Sequence, residues 1–335
     1  MFFKYYPLHE ICRAAGHLGN PQGSDFMNTP THYLLAVDGG GTKTEFLIEC
    51  IETKERISEI YGSSNYKSSS SEAARENILQ GFLSISRKHS ISPDSIKGAV
   101  FGFSGCDTDE DMAFYQTVVQ GIGLNNARIR VCNDSEMVLE AIADEGLCVV
   151  AGTGTIAMGL RKDGRKVRVG GWGIPLSDEG SGWWIGAGAL KAYIRWCDRL
   201  EPVSPVFEKI HLWLQAQSSR DGAEKAAALS NREIASLAHC VMDSAQEGDL
   251  LCQNLVERSA DHVAEITVGA YHALELKGPT TVIAMGSLFR DANYTILVKK
   301  KIEDLGVYNL NFNRPQGRPA AFGLQLAGKI AAQAD

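Results

Sequence analysis

The sequence predicts an α/β fold in two related halves, and three observations carry that prediction. Apolar, β-favouring runs alternate with segments of helical apolar spacing. A strand, a Gly-rich turn and a second strand occur at YLLAVDGGGTKTEFLI and again at LCVVAGTGTIAMGL. The chain has 335 residues, more than one hydrophobic core usually holds, so two domains with a cleft between them follow.

Residues 1–29 contain scattered Gly and Pro with little periodicity and read as an N-terminal extension. Met27, just ahead of NTPTHYLLAVDGGGTKTEFLIEC, offers an internal start for the functional chain. Tyr33 to Val37 and Glu45 to Cys50 are apolar runs joined by the glycine turn, the pattern of a hairpin. Ile78, Phe82 and Ile85 give helical spacing to Glu72–His89, and a strand at Gly98–Phe103, a helix at Asp109–Gly121, a strand at Ala127–Cys132 and a helix at Ser135–Ala143 follow. After the second hairpin, Gly188–Leu200 and Arg232–Leu276 read as long helical regions, Thr281–Met285 as a strand ending at a Gly286 turn, and Ala320–Ala332 as a closing helix.

Composition narrows the function classes. The net charge is −7, and no basic cluster interleaves with aromatics, which argues against nucleic acid or an anionic membrane as partner. No apolar run reaches the roughly eighteen residues a membrane helix needs, and Lys4, Pro7, His9 and Glu10 break up the opening as a signal peptide. The eight cysteines stand singly with no C-x-x-C pair, as in a reducing cytoplasm, and the histidines lack zinc-binding spacing.

The turn Asp38-Gly-Gly-Gly-Thr-Lys-Thr44 is the strongest chemical signal. Gly39, Gly40 and Gly41 let the backbone approach an anion closely, and the N–H groups through Thr42 and Lys43 can form a phosphate nest. Asp38 is then placed to hold Mg²⁺, directly or through water. The turn is not a P-loop or a dinucleotide fingerprint, because strand leads to strand rather than to helix. Gly152, Thr153, Gly154 and Thr155 form a partner turn, suited to the far side of the same phosphates.

Asn133-Asp134 closes the strand ARIRVC, where strand ends line the crevice of open α/β sheets. Asp134 can deprotonate an acceptor hydroxyl there, or it can cap the following helix. The run GGWGIPLSDEGSGWW sets Asp178 and Glu179 among glycines and tryptophans, a composition that suits a hydroxyl-rich ligand, although Trp183 and Trp184 read as core. Ser104 and Asp107 stand at another strand end, where Asp107 can equally cap the next helix.

In order and wording, VDGGGTKTEF, SSNYK, GFSGCDTDED, VCNDSE, VVAGTGTIA, GGWGIPLSDEGSGWWIG and IAMGS resemble the BadF/BadG/BcrA/BcrD ATPase family, which contains the N-acetylglucosamine and glucosamine kinases, over roughly residues 31–290. The resemblance implies two actin-like (ribonuclease H-like) domains, 30–143 plus 318–335 and 144–317, with a nucleotide and sugar cleft between them. It implies ATP and Mg²⁺ as cofactors, an amino-sugar substrate phosphorylated at the 6-hydroxyl, a homodimer, and Asp134 as base. It puts Gly286 and Ser287 near the adenosine, and makes Asn65, Ser104, Asp107, Thr153 and Asp178 sugar contacts. Ile156 departs from the animal pattern, which has a sugar-binding asparagine there, so acetamide recognition stays open. Other family members activate 2-hydroxyacyl-CoA dehydratases through a cysteine-bound iron–sulfur cluster. That activity and a non-catalytic sugar sensor are the alternatives.

Overall fold

Two five-stranded sheets organise the chain, and a computed structural model describes residues 31–333. The extension, residues 1–29, and with it the internal start at Met27, lies outside the described residues. In the first sheet the order is β3-β2-β1-β4-β5, with β1 Tyr33–Gly39, β2 Thr44–Cys50, β3 Arg56–Tyr61, β4 Ile96–Phe103 and β5 Arg128–Asn133. The second sheet repeats the theme as β10-β9-β6-β7-β8, with β6 Gly146–Ala151, β7 Thr155–Leu160, β8 Lys166–Gly170, β9 Thr280–Met285 and β10 Leu310–Asn313.

In each sheet an antiparallel meander is followed by parallel strands, so each Gly-rich turn joins the middle strand to its antiparallel neighbour at the corresponding place. The duplicated sequence theme is therefore a duplicated topology. From His32 onward the residues form one compact unit.

The helices cover the sheet faces because their apolar stripes match the strand residues they bury. α1 (Ser71–Lys88) and α2 (Asp109–Gln120) lie on the first sheet, where Ile78, Phe82, Ile85, Tyr115 and Val118 pack on Leu35, Val37, Phe46, Phe101 and Phe103. α3 (Asp134–Ile142) and α10 (Pro319–Ala332) pack on its other face, Met137, Leu324 and Ala327 meeting Ala36, Leu47 and Val100. Among the helices of the second half, α4 (Gly182–Cys197), α7 (Asn231–Gln246) and α8 (Leu250–Ala273) bury Ile185, Tyr193, Val241 and Val263 with Leu147, Val149 and Ala157.

α3 also touches the second sheet: Val138 and Leu139 cluster with Cys148 and Ile283. On its solvent side Glu136 and Glu140 pair with Arg130 of β5 and with Lys166 of β8, Lys166 Nζ lying 2.8 Å and 3.0 Å from the two carboxylates. One short helix, carrying Asp134 at its first residue, is thus held by both sheets.

Several expectations need correction. The region 232–276 is two helices, because Glu247-Gly248-Asp249 breaks it: Gly248 is left-handed (φ +99°) and Asp249 caps α8. α4 begins at Gly182 rather than Gly188, since Ser181 accepts the Trp184 N–H, so Trp183 and Trp184 belong to a helix. Trp184 packs against the core as expected, whereas Trp183 is half-buried and donates from its indole to Asn231. Sequence periodicity gave no sign of β3, β8 or β10, which are short and only partly buried, nor of α5 (Pro205–Trp213), α6 (Ser219–Ala227) and α9 (Ala292–Asp304).

Candidate active site

The helix α3 starts where β5 ends, and its cap is Asn133 rather than Asp134. Asn133 Oδ1 accepts the Ser135 N–H at 2.8 Å, and Asn133 Nδ2 donates to Asp107 Oδ1 at 3.0 Å. Asp134 Oδ1 accepts the same Ser135 N–H at 2.8 Å. Asp134 is therefore spared as the sole cap and keeps Oδ2 without a hydrogen bond from the described residues. Burial, with Asp107 adding to it, pushes the Asp134 carboxyl above the usual carboxylate range.

A cavity of about 250 Å³ gathers several of the residues singled out in the sequence. From the first half come Ser104, Asp107 and Asp134, and from the second come Gly152, Thr153, Gly154, Thr155 and Asp178. Ile156 also lines it.

The second Gly-rich turn is locked to the acidic loop. Thr155 N–H donates to Asp178 Oδ1 at 3.0 Å, Thr155 Oγ1 donates to the Glu179 carbonyl at 2.8 Å, and Gly182 N–H donates to the Gly152 carbonyl at 2.7 Å. Gly154 could not carry a side chain, because an added Cβ would lie 2.8 Å from Asp178 Oδ1. Asp178 is buried, left-handed (φ +71°) and raised in pKa, mainly by burial. The Glu179 side chain is exposed and does not line the cavity.

The first turn sits beside this cavity rather than in its wall. Gly40 N–H donates to the Lys43 carbonyl at 2.9 Å and closes the hairpin, and Ser104 N–H donates to the Gly39 carbonyl at 2.8 Å, joining the turn to the cavity rim. Gly41, Thr42 and Lys43 are exposed, so their N–H groups are open to an incoming anion. Asp38 is partly buried, and its carboxylate accepts no hydrogen bond from the described residues. It is pushed up to about 7 by burial, then by Asp134 and Glu45, against the opposing pull of Lys43.

Gly286 and Ser287 belong to an adjoining recess of about 260 Å³, shared with Val138, Arg290, Arg314 and Phe322. Gly286 (φ +94°) backs directly onto Ala151 and Gly152, so recess and second turn share a wall. Asn65 lies behind the cavity: its Oδ1 accepts the Lys67 N–H at 2.9 Å, and its side chain abuts Gly105.

Sequence reasoning missed three basic residues. Arg168 lines the main cavity and reaches Asp107 Oδ2 at 3.7 Å. Arg290 and Arg314 line the recess. Their sequence signal was weak, since single arginines on short strands and loops look like solvated surface. Lys67, next to Asn65, bridges Asp111 at 2.7 Å and Asp107 at 3.4 Å.

The sequence profile described as the BadF/BadG/BcrA/BcrD ATPase family matches residues 35–310. The chain is 28% identical over 267 residues to an N-acetylmuramic acid/N-acetylglucosamine kinase of Clostridium acetobutylicum, covering 78% of this chain and 87% of that protein. It is 26% identical over 285 residues to an N-acetyl-D-glucosamine kinase of Dictyostelium discoideum, covering 80% and 89%. Among solved structures, a Chromobacterium violaceum protein provisionally named N-acetylglucosamine kinase superposes with a TM-score of 0.64 at 20% identity, covering 88% of this chain and 99% of that one.

Proposed function

The chain belongs to the BadF/BadG/BcrA/BcrD ATPase family and has an actin-like α/β fold, and from that premise we propose that it transfers the γ-phosphoryl group of ATP to a hydroxyl of an amino sugar, N-acetylglucosamine or glucosamine, at the 6-position. The observation that carries this reading is the meeting of Asp134, Asp107 and Ser104 with the Gly152–Thr155 turn and Asp178 in one cavity. In this reading an acceptor hydroxyl and a phosphate chain would lie side by side there, and the kinase names of the relatives support it.

In this reading ATP lies between the two turns, with its adenosine toward Gly286 and Ser287. Fixing donor and acceptor in line supplies the largest share of the rate, roughly 7 to 11 kcal/mol of barrier. Asp107, Ser104, Thr153 and Asp178 receive the sugar hydroxyls, with Asn65 supporting that wall from behind Gly105, while Glu179 stays outside the cavity. Asp134 takes the proton of the attacking hydroxyl, a contribution of about 10² to 10⁴ in rate. A carboxylate held above its ordinary range is better matched to that task near neutral pH.

Asp38 fits a magnesium site. It is a partly buried carboxylate that accepts no hydrogen bond from the described residues, and burial, then the neighbouring carboxylates Asp134 and Glu45, raise its pKa, so a cation would relieve the repulsion. One or two carboxylates with phosphate and water are the usual donors for this ion. Bound there, the ion would neutralise charge on the phosphate oxygens.

We assign the two halves as domains 30–143 plus 318–335 and 144–317, acting as a homodimer in the cytoplasm, where ATP is supplied. Among the described residues no helix is long and apolar enough to cross a membrane. Coupled ADP release over glucosamine, N-acetylglucosamine, N-acetylmannosamine, N-acetylmuramic acid and glucose tests the proposal. Turnover of at least one amino sugar above glucose supports it; ATP hydrolysis that no sugar stimulates contradicts it.

A further inference from the structure

The geometry points to Lys166 as a positioning residue: from the edge of the second sheet it holds α3, and with it Asp134, in a fixed place relative to the Gly152–Thr155 turn. This role rests on the kinase reading above and adds to it a residue that does not line the cavity.

Among the described residues, Asp134 has no hydrogen bond to the second half. Its Oδ1 accepts from Ser135, inside its own helix, and its Oδ2 accepts nothing. The distance from this carboxylate to the second Gly-rich turn is therefore set by where α3 as a whole sits.

Apolar contact supplies part of that placement. Val138 and Leu139 cluster with Cys148 and Ile283 of the second sheet, but such contact is non-directional and leaves a helix able to slide or roll. Direction comes from charge. Lys166 Nζ lies 2.8 Å from Glu136 Oε2 and 3.0 Å from Glu140 Oε1, two carboxylates one turn apart on α3. Arg130, from the edge strand of the first sheet, takes the same Glu140 through Nε at 3.0 Å and Nη2 at 2.6 Å. Arg130 belongs to the half that carries α3, so it cannot register that helix against the other half. Lys166 can.

These pairs differ from the weak ion pairs of an open surface. The Glu136 and Glu140 side chains are only 17% and 16% exposed, which reduces screening. Burial pulls the Lys166 pKa down, yet Glu136, then Glu140, outweigh it and hold the ammonium above the ordinary lysine range. Two residues along β8, on the same strand face, Arg168 approaches Asp107 Oδ2 of the first half to 3.7 Å. One edge strand thus meets the first half at two points, Asp107 in the cavity wall and the Glu136–Glu140 pair on α3.

Lys166→Met removes the charge and keeps the length of the side chain. Hydrogen exchange by mass spectrometry on the ligand-free full chain reads the hold on α3, and coupled ADP release with N-acetylglucosamine and glucosamine reads its consequence. In Lys166→Met the α3 amides should exchange about tenfold faster, while those of α8 stay as in the native chain. kcat should fall about tenfold, since a small displacement of a reacting group is enough for that. The KM values for sugar and ATP should change by less than about twofold, because the variant leaves the binding contacts in place. Lys166→Arg should restore exchange and kcat. Arg165→Gln, which removes a neighbouring cation whose partners Asp163 and Glu275 both lie in the second half, should alter neither. Unchanged α3 exchange, a loss carried by KM alone, or a kcat that Lys166→Arg does not recover overturns the role. Normal turnover by Lys166→Met overturns it too and leaves the kinase reading standing. Faster α3 exchange in Lys166→Met, where the unsubstituted chain phosphorylates neither sugar, supports the hold on α3 and sinks the kinase reading.

Discussion

Asn133 donates from Nδ2 to Asp107 Oδ1 at 3.0 Å while its Oδ1 accepts the Ser135 N–H at 2.8 Å, so one amide both caps α3 and positions a cavity carboxylate. Asn133→Ala removes both. We expect a stability loss of about 1 kcal/mol from the cap, measured by urea denaturation, and a lower kcat/KM. Asn133→Asp should recover the cap but not the activity, because it sets a second carboxylate against Asp107.

The raised pKa of Asp134 has a defined consequence for pH. Its folded-state pKa lies above its unfolded value, so its contribution to stability is fully present below the ordinary carboxylate range and is lost as pH rises through the raised value. Asp134→Asn should therefore be more stable than the native chain at pH 8, with the difference vanishing near pH 4. Thermal melts of the metal-free protein across that range check it. A constant offset at all pH values would contradict a raised pKa.

Asp178 holds the second turn through the Thr155 N–H. Asp178→Ala leaves that buried donor unpaired, and we expect a loss of about 1–3 kcal/mol together with a higher KM for ATP. Asp178→Asn keeps an acceptor oxygen and should keep most of the stability. Equal damage in both variants would locate the effect in the charge rather than the hydrogen bond.

Gly286 is left-handed at φ +94° and backs onto the Ala151 main chain, with no room for a Cβ. Gly286→Ala should displace the wall shared by the recess and the second turn. Weaker ATP binding by calorimetry with a lowered melting temperature is expected. An unchanged affinity would detach the recess from the nucleotide.

Much of this arrangement was legible in the sequence because its signals are local. Both Gly-rich turns stand between apolar runs, and both join interior strands at equivalent positions of their sheets. Asp134, Asp107 and Asp178 sit at strand ends or in a glycine-rich loop, and the fold brings them to one cavity. What was not legible depends on pairing between distant segments. The division of labour at Asn133-Asp134 is set by whether Asp107 arrives opposite the asparagine. Arg168 becomes a cavity residue only because the short edge strand β8 pairs with β7 beside Ile156. The placement of Glu179 outside the cavity follows from the left-handed turn at Asp178, which no periodicity announces.

The central claim, that Asp134 deprotonates a sugar hydroxyl in a site that binds ATP independently of it, is tested most directly by rapid-quench measurement of a single turnover. Asp134→Ala would be compared with the native chain at matched saturation by Mg·ATP and the preferred amino sugar. The account predicts unchanged nucleotide affinity and a phosphoryl-transfer rate lower by about 10² to 10⁴. A transfer rate within a few-fold of the native value would contradict it.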